Sequence, residues 1–279
     1  MIELLKNRSV ISVTGADALK FLQSMTTNDL ENHQNSYNYL LSPQGKYLHD
    51  FFVSKVSDEE LLIDIDYSCV GAFIQKLNLY KLRRAVQLED LSDDYCVVYS
   101  PLSALPTKAG IPEYKVHYQD PRFHKLGFRS IIKTSYINNS ELVSNNLYKQ
   151  DKYEFAIPDG VSDLIFDRSI PLHFGGEELL AISFSKGCYV GQEVISRAKY
   201  QGVIRKKIFK IKSDLQISFH EIGAEITDIN GGKIGIFCSS YNNVGIVLLD
   251  EEKYLELDKK IAIIEEGDKV EIIVPEWRE

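Results

Sequence analysis

The sequence predicts an α+β fold: an N-terminal region in which helices pack against antiparallel sheet, followed by a small all-β unit. Up to about Tyr200, short β-rich runs alternate with stretches of helical apolar spacing. From Ile208 onward the helical spacing fades, and β-rich runs are separated by two hairpin turns, Asn230-Gly231-Gly232 and Glu266-Gly267-Asp268.

In order along the chain, Ser9 to Thr14 is a short β-branched strand that Gly15 ends, and Asp17 is placed to cap a helix with Leu19, Phe21, Leu22 and Met25 facing inward. Thr26 to Asp29 forms a polar stop. Leu48 to Val56 and Leu61 to Asp66 read as strands, and Val70, Phe73, Ile74 and Leu77 recur at helical spacing behind them. Strands are expected again at Ala85 to Leu88 and Tyr95 to Ser100, with a loop from Pro101 to Pro112. The runs Ile208 to Ile211, Lys233 to Cys238, Val244 to Leu249, Lys260 to Ile264 and Val270 to Val274 make a small β-barrel or sandwich after about Arg205. The expected domains are therefore 1–204 and 205–279, the first built of two intertwined α+β subdomains.

With 279 residues, 44% of them hydrophobic, the chain can bury a substantial core. A net charge of -8 argues against nucleic acid as partner. Met1 to Gly15 carries no apolar signal core and no stretch is long enough to span a membrane, so a cytoplasmic protein without a membrane partner is expected. Cys69, Cys96, Cys188 and Cys238 lie far apart, without the paired spacing of a zinc or four-thiolate cluster site, and His49 and His173 are read as structural. No metal site is expected.

The informative stretch is Lys186-Gly187-Cys188-Tyr189-Val190-Gly191-Gln192-Glu193, followed by Arg197, Lys199 and Gly202. Its two glycines predict a tight turn, after which Val190 to Tyr200 forms a helix. A thiol beside Lys186 and a helix N-terminus has its thiolate favoured, while Glu193 acts in the opposite direction.

This stretch resembles the signature of the YgfZ family, Lys-Gly-Cys-Tyr-x-Gly-Gln-Glu, and matches it at every defined position. The flanks Ala181-Ile182-Ser183-Phe184 and Arg197-Ala198-Lys199-Tyr200-Gln201-Gly202 are similar too, as are Thr14-Gly15-Ala16-Asp17, Phe21-Leu22-Gln23, Thr27-Asn28-Asp29 and Leu41-Ser42-Pro43-Gln44-Gly45-Lys46 near the start. The resemblance implies a fold like that of the glycine cleavage T-protein: a folate-binding N-terminal region with a C-terminal β-barrel. It also implies a tetrahydrofolate-binding accessory protein that supports assembly or repair of 4Fe-4S clusters, with Cys188 as the key residue. The partners so implied are iron-sulfur client or assembly proteins, and a cluster would be held only transiently.

Two departures from the T-protein stand out. Its acidic pair after the Gly-Gly turn becomes His49 and Asp50, and its Tyr-Thr-Gly-Glu motif has no counterpart. The alternative, a folate-dependent one-carbon transferase or demethylase, is disfavoured by that loss. Folate requires a flat apolar slot, a few directed polar groups and a cationic mouth. The candidate ligand residues are Asn28, Asp29, Asp50, Tyr148, Lys186, Tyr189, Gln192, Glu193 and Arg197, with Lys199 as a further cation. Trp277 is expected in the barrel, and Cys69, Cys96 and Cys238 in the core.

Overall fold

The computed structural model describes residues 2–103, 114–137, 146–265 and 267–279. The chain begins with β1 (Glu3–Leu4), β2 (Arg8–Thr14), α1 (Ala18–Gln23), β3 (Asn35–Leu41), β4 (Tyr47–Ser57), β5 (Glu60–Asp66), α2 (Val70–Lys81) and β6 (Gln87–Asp90). These strands form an antiparallel sheet in the order β3-β4-β5-β2-β6. Alternation along the strands sends Ile11, Val13, Phe51, Val53, Ile63 and Ile65 to one face, where they meet Phe21 and Leu22 of α1 and Phe73 and Leu77 of α2. Tyr37, Tyr39 and Phe52 point to the other face.

Several local expectations change. Asp17 makes no cap; its carboxylate accepts the Ala85 amide and ties α1 to the chain entering β6. β6 starts two residues later than the run Ala85 to Leu88 suggests. The polar stop is buried, because Thr27 donates its hydroxyl to the Ala181 carbonyl and Asn28 donates to the carbonyls of Tyr37 and Leu180. β3 goes beyond the sequence reading.

A second antiparallel sheet uses β7 (Tyr95–Ser100), β8 (Tyr114–Gln119) and β9 (Phe128–Lys133), in the order β1-β7-β9-β8. The expected loop from Pro101 to Pro112 falls mostly outside the described residues. α3 (Leu147–Glu154), α4 (Gly160–Asp163) and α5 (Gln192–Tyr200) follow.

The C-terminal strands are β10 (Lys206–Lys212), β11 (Glu225–Thr227), β12 (Lys233–Tyr241) and β13 (Val244–Asp250), then α6 (Glu251–Glu256), β14 (Ile261–Ile264) and β15 (Asp268–Ile273). They close into a six-stranded barrel, β10-β13-β12-β11-β14-β15, filled by Phe209, Ile226, Phe237, Val247 and Ile272 among others. Closure removes the sheet edges, which settles barrel against sandwich. Trp277 lies beyond the barrel: its indole donates to the Phe155 carbonyl and its ring packs on Gly175, so it fastens the barrel to the N-terminal region.

His49 on β4 is buried against the rings of Phe73 and Phe166, and its Nδ1 has no hydrogen-bond partner. Burial, aided by Lys76 and opposed by Asp50, pulls its pKa down from 6.5 to about 4. On acidification the unfolded chain takes up this proton first, so stability falls from pH 6.5 toward pH 4. Urea denaturation should show a loss of stability between pH 7 and pH 5 that is smaller by about 2 kcal/mol in His49→Phe; His173, whose burial also lowers its pKa to about 4, contributes to what remains. Identical pH slopes in the two proteins would contradict a neutral, buried imidazole.

Candidate functional site

Where the two sheets meet α3 and α4, a cavity of about 220 Å³ is lined by Asn7, Arg8, Asp50, Asp66, Arg129, Tyr148, Asp159, Gly160, Val161 and Ser162. Asp50 reaches it through a bulge in β4. Leu40 pairs with His49 but Leu41 with Tyr47, so one extra residue turns Tyr47 onto the same face as Asp50. Tyr37 donates its hydroxyl to Asp50 Oδ2 at 2.9 Å and Tyr47 donates to Oδ1 at 3.0 Å. Burial raises the pKa of both phenols, with Asp50 adding to the effect, which keeps them as donors. A Cβ on Gly160 would stand 1.7 Å from Asp50 Oδ1, so only glycine lets α4 come this close to the carboxylate.

A run of buried charges surrounds Asp50. Asp64 on β5 accepts Arg8 Nε at 2.5 Å on one oxygen and Arg129 Nη2 at 2.6 Å on the other. Burial alone would raise the Asp64 pKa, but the two guanidiniums outweigh it and hold the carboxyl low. Arg122 bridges Asp120 and Asp159, each at 2.7 Å, and Tyr148 donates its hydroxyl to Asp159. Lys152 pairs with Asp163 at 2.7 Å, and Ser239 of β12 donates to the same acid, which carries the network into the barrel. Among the described residues Asp50 has no ion-pair partner; it is the acid this network leaves available. A larger cavity of about 730 Å³ adjoins the first, sharing Asn7, Tyr148, Asp159 and Ser162 and adding Lys6, Lys149 and Lys152.

The signature stretch lies elsewhere. Lys186 turns inward, and its ammonium donates to the carbonyls of Gln23, Thr26 and Asn28 at 2.6 to 2.7 Å. These are carbonyls at and beyond the end of α1, where a helix lacks acceptor partners of its own. Burial lowers the Lys186 pKa to about 8, against the pull of Asp29 and Glu31. Lys186 thus anchors the loop, its ammonium engaged by the carbonyls at and beyond the end of α1. Tyr189 packs beside it in the core. Cys188 is exposed, whereas Cys69 and Cys96 are half-buried and Cys238 is buried.

Of the nine candidate ligand residues, the structure brings Asp50 and Tyr148 together in one cavity. Asn28 faces a separate groove of about 480 Å³ bordered by Ser183, Phe184 and Tyr200. Asp29 is spent on its own turn: the side chains of Gln23 and Asn32 and the amides of Glu31 and Asn32 donate to its carboxylate, and these bonds lower its pKa against the effect of burial. Gln192 and Glu193 open α5, and Arg197 pairs with Glu193 on its exposed face. Lys199 pairs with Glu177. Neither cation reaches the cavity of Asp50, because both are drawn to nearer acids on the surface.

Arg8, Arg129 and Asp159 are site residues that the sequence reading missed. One signal was present. Asp64 interrupts the apolar run Leu61 to Ile65, and Arg129 sits in the apolar strand Phe128 to Ile132; a charge within a core strand calls for a buried partner.

Residues 5–99 match the family model of the GCVT N-terminal domain. The mitochondrial iron-sulfur cluster assembly factor IBA57 of Homo sapiens is 29% identical over 276 residues, and that of Mus musculus 28% over 275; each alignment covers 89% of this chain and 77% of the relative. The crystal structure of the glycine cleavage system aminomethyltransferase T from Bartonella henselae superposes with a TM-score of 0.69 over 98% of this chain and 84% of that one, at 15% identity. The chain therefore has the T-protein-like fold, with antiparallel sheets, packed helices and a closed C-terminal barrel. No helix among the described residues is long and apolar enough to cross a membrane, and no group of three or more His, Cys, Asp or Glu among them is arranged to hold a metal.

Asp64→Asn removes the charge that two buried guanidiniums share. It should cost about 3 to 5 kcal/mol in chemical denaturation. A loss below about 1 kcal/mol would show that Arg8 and Arg129 find other partners.

Proposed function

We propose that this chain is a tetrahydrofolate-binding accessory factor in the assembly or repair of 4Fe-4S clusters, a member of the YgfZ family rather than an enzyme. The observation that carries the folate reading is Asp50: a buried carboxylate held by two tyrosine hydroxyls, without an ion-pair partner among the described residues, on the wall of a cavity. Each of its oxygens keeps acceptor capacity beyond the tyrosine bond, enough for the adjacent N–H groups of a 2-amino-4-oxo pterin. Tyr148 offers a ring in the same cavity. Lys6 and Lys149, in the adjoining cavity, supply cations for the glutamate carboxylates, the role expected of Arg197.

The assembly role rests on the relatives, which are named as iron-sulfur cluster assembly factors, and on the exposed Cys188 thiol held up by the Lys186 anchor. One thiolate does not hold a cluster alone, so Cys188 acts with thiolates of a client or assembly protein on a cluster in transit. The reading places the chain in the reducing cytoplasm, whereas the named relatives are mitochondrial. The transferase alternative shares the cavity but requires turnover of a methyl or aminomethyl donor that depends on Asp50.

Calorimetric titration with tetrahydrofolate should give saturable binding that Asp50→Asn weakens by about tenfold to a hundredfold, the loss of hydrogen bonds to a charged acceptor. Unchanged affinity would remove Asp50 from the site. In cells lacking the native protein, Cys188→Ala should fail to restore 4Fe-4S enzyme activity while its folate affinity is unchanged. Full restoration would exclude the thiol from the function.

A further inference from the structure

Two exposed leucines stand where α2 ends. The inward face of the helix buries Val70, Phe73 and Leu77, but Leu79 is 70% exposed and Leu82, which follows the last helical residue, is 85% exposed. Leu82 has φ +50°, a conformation that helix ends usually give to glycine. A single exposed leucine is ordinary; two within three residues, the second on a strained backbone, call for a reason. Cations accompany them. Lys76 lies one turn before Leu79, and Arg83 follows Leu82. Arg84 reaches back to α1: its Nη1 donates to the Ser24 hydroxyl at 3.1 Å, and its guanidinium carbon lies 5.4 Å from the ring centroid of Phe21. Lys20 stands one turn before Ser24. None of these cations has an ion-pair partner among the described residues, and the neighbouring acid, Asp17, is engaged by the Ala85 amide. The patch is therefore positive in a chain whose net charge is -8.

The patch adjoins the loop that carries the exposed thiol. Lys186 donates to the Gln23 carbonyl at 2.7 Å and Arg84 to the side chain of Ser24, the next residue, so the turn after α2 and the turn of Cys188 are fastened to the same end of α1. Charge and apolarity together point to one kind of occupant. A long polyanion, whether nucleic acid or an anionic membrane, meets repulsion from the rest of this acidic chain, whereas a globular partner touches the patch alone. Leucines flanked by cations match the apolar centre and polar rim of a protein interface. We propose that Leu79 and Leu82, with Lys20, Lys76, Arg83 and Arg84 about them, are the docking surface for an acidic protein that presents cluster-ligating cysteines to Cys188. The assignment rests on the assembly reading above and adds to it the surface and charge by which the partner is recognised. Acidic groups on that partner complement the unpaired cations, and a cluster held by thiolates is itself anionic.

The test places a photo-reactive phenylalanine analogue in place of Leu79 in the full chain in cells, with the 69% exposed Leu255 of α6 as the control position, and identifies the adducts by mass spectrometry. The Leu79 position should capture an acidic protein with cluster-ligating cysteines that the Leu255 position does not. Lys76→Glu combined with Arg83→Glu should cut that yield by at least about tenfold. The same pair of substitutions, at unchanged melting temperature and tetrahydrofolate affinity, should lower restoration of 4Fe-4S enzyme activity in cells lacking the native protein. Absence of such an adduct, or a yield that charge reversal does not change, overturns the assignment. So does flotation of the purified chain with phosphatidylserine vesicles that the charge reversal abolishes, which would make the patch a membrane surface. These outcomes leave Cys188 and the assembly reading intact, whereas full restoration by Cys188→Ala removes that reading and the assignment with it.

Discussion

The pairing of one buried carboxylate with two buried arginines holds this structure in register. Asp64 comes from β5, Arg8 from β2 and Arg129 from β9, so the triad ties the first sheet to the second. Taking three charges out of water is unfavourable unless they meet in close geometry, and here both carboxylate oxygens are occupied and both guanidiniums are engaged. The same logic continues through Asp120, Arg122, Asp159, Lys152 and Asp163 to Ser239 of the barrel. Apart from Asp120 and Arg122, which pair within one loop, these groups find their partners on other elements, so the sheets, the short helix α4 and the barrel must assemble together to satisfy them.

The candidate site follows from that constraint. Among the described residues Asp50 is a buried acid without an ion-pair partner, and it stands on the cavity that Arg8, Arg129 and Asp159 of the ion-pair network also line. Gly160 allows α4 to press against Asp50, and α4 also carries Asp163, which Ser239 of the barrel contacts. The wall of the cavity and the contact with the barrel are therefore joined through four residues of helix. The exposed thiol is held by a different device, an ammonium on three backbone carbonyls at the end of α1.

Much of the fold was legible in the residues. A β-branched run gave β2, the runs Leu48 to Val56 and Leu61 to Asp66 gave β4 and β5, apolar spacing gave α1 and α2, and Asn230-Gly231-Gly232 together with the fading of helical spacing marked the β-rich tail. β3 was missed because Asn35, Ser36 and Asn38 dilute its pattern, although Tyr37, Tyr39 and Leu41 alternate onto one face. β8 and β9 were missed because polar and charged residues interrupt them; Arg129 is acceptable in a strand core only when Asp64 is beside it. At the site, Asp50 and Tyr148 were named from sequence, whereas Arg197 and Glu193 were misplaced because a helix lets residues four apart pair with each other on the surface.

The sequence by itself determined the α+β class, the β-rich tail and the glycine-bounded turn that carries Cys188, because these depend on local propensity and on short motifs. Only the tertiary structure decided that the tail closes into a barrel, that Cys188 is exposed while Lys186 is tied to the end of α1, and that Arg8 and Arg129 stand at Asp50's cavity. Those outcomes depend on which distant groups meet once water is excluded, and a buried charge takes the partner the fold brings to it, which spacing along the chain does not encode.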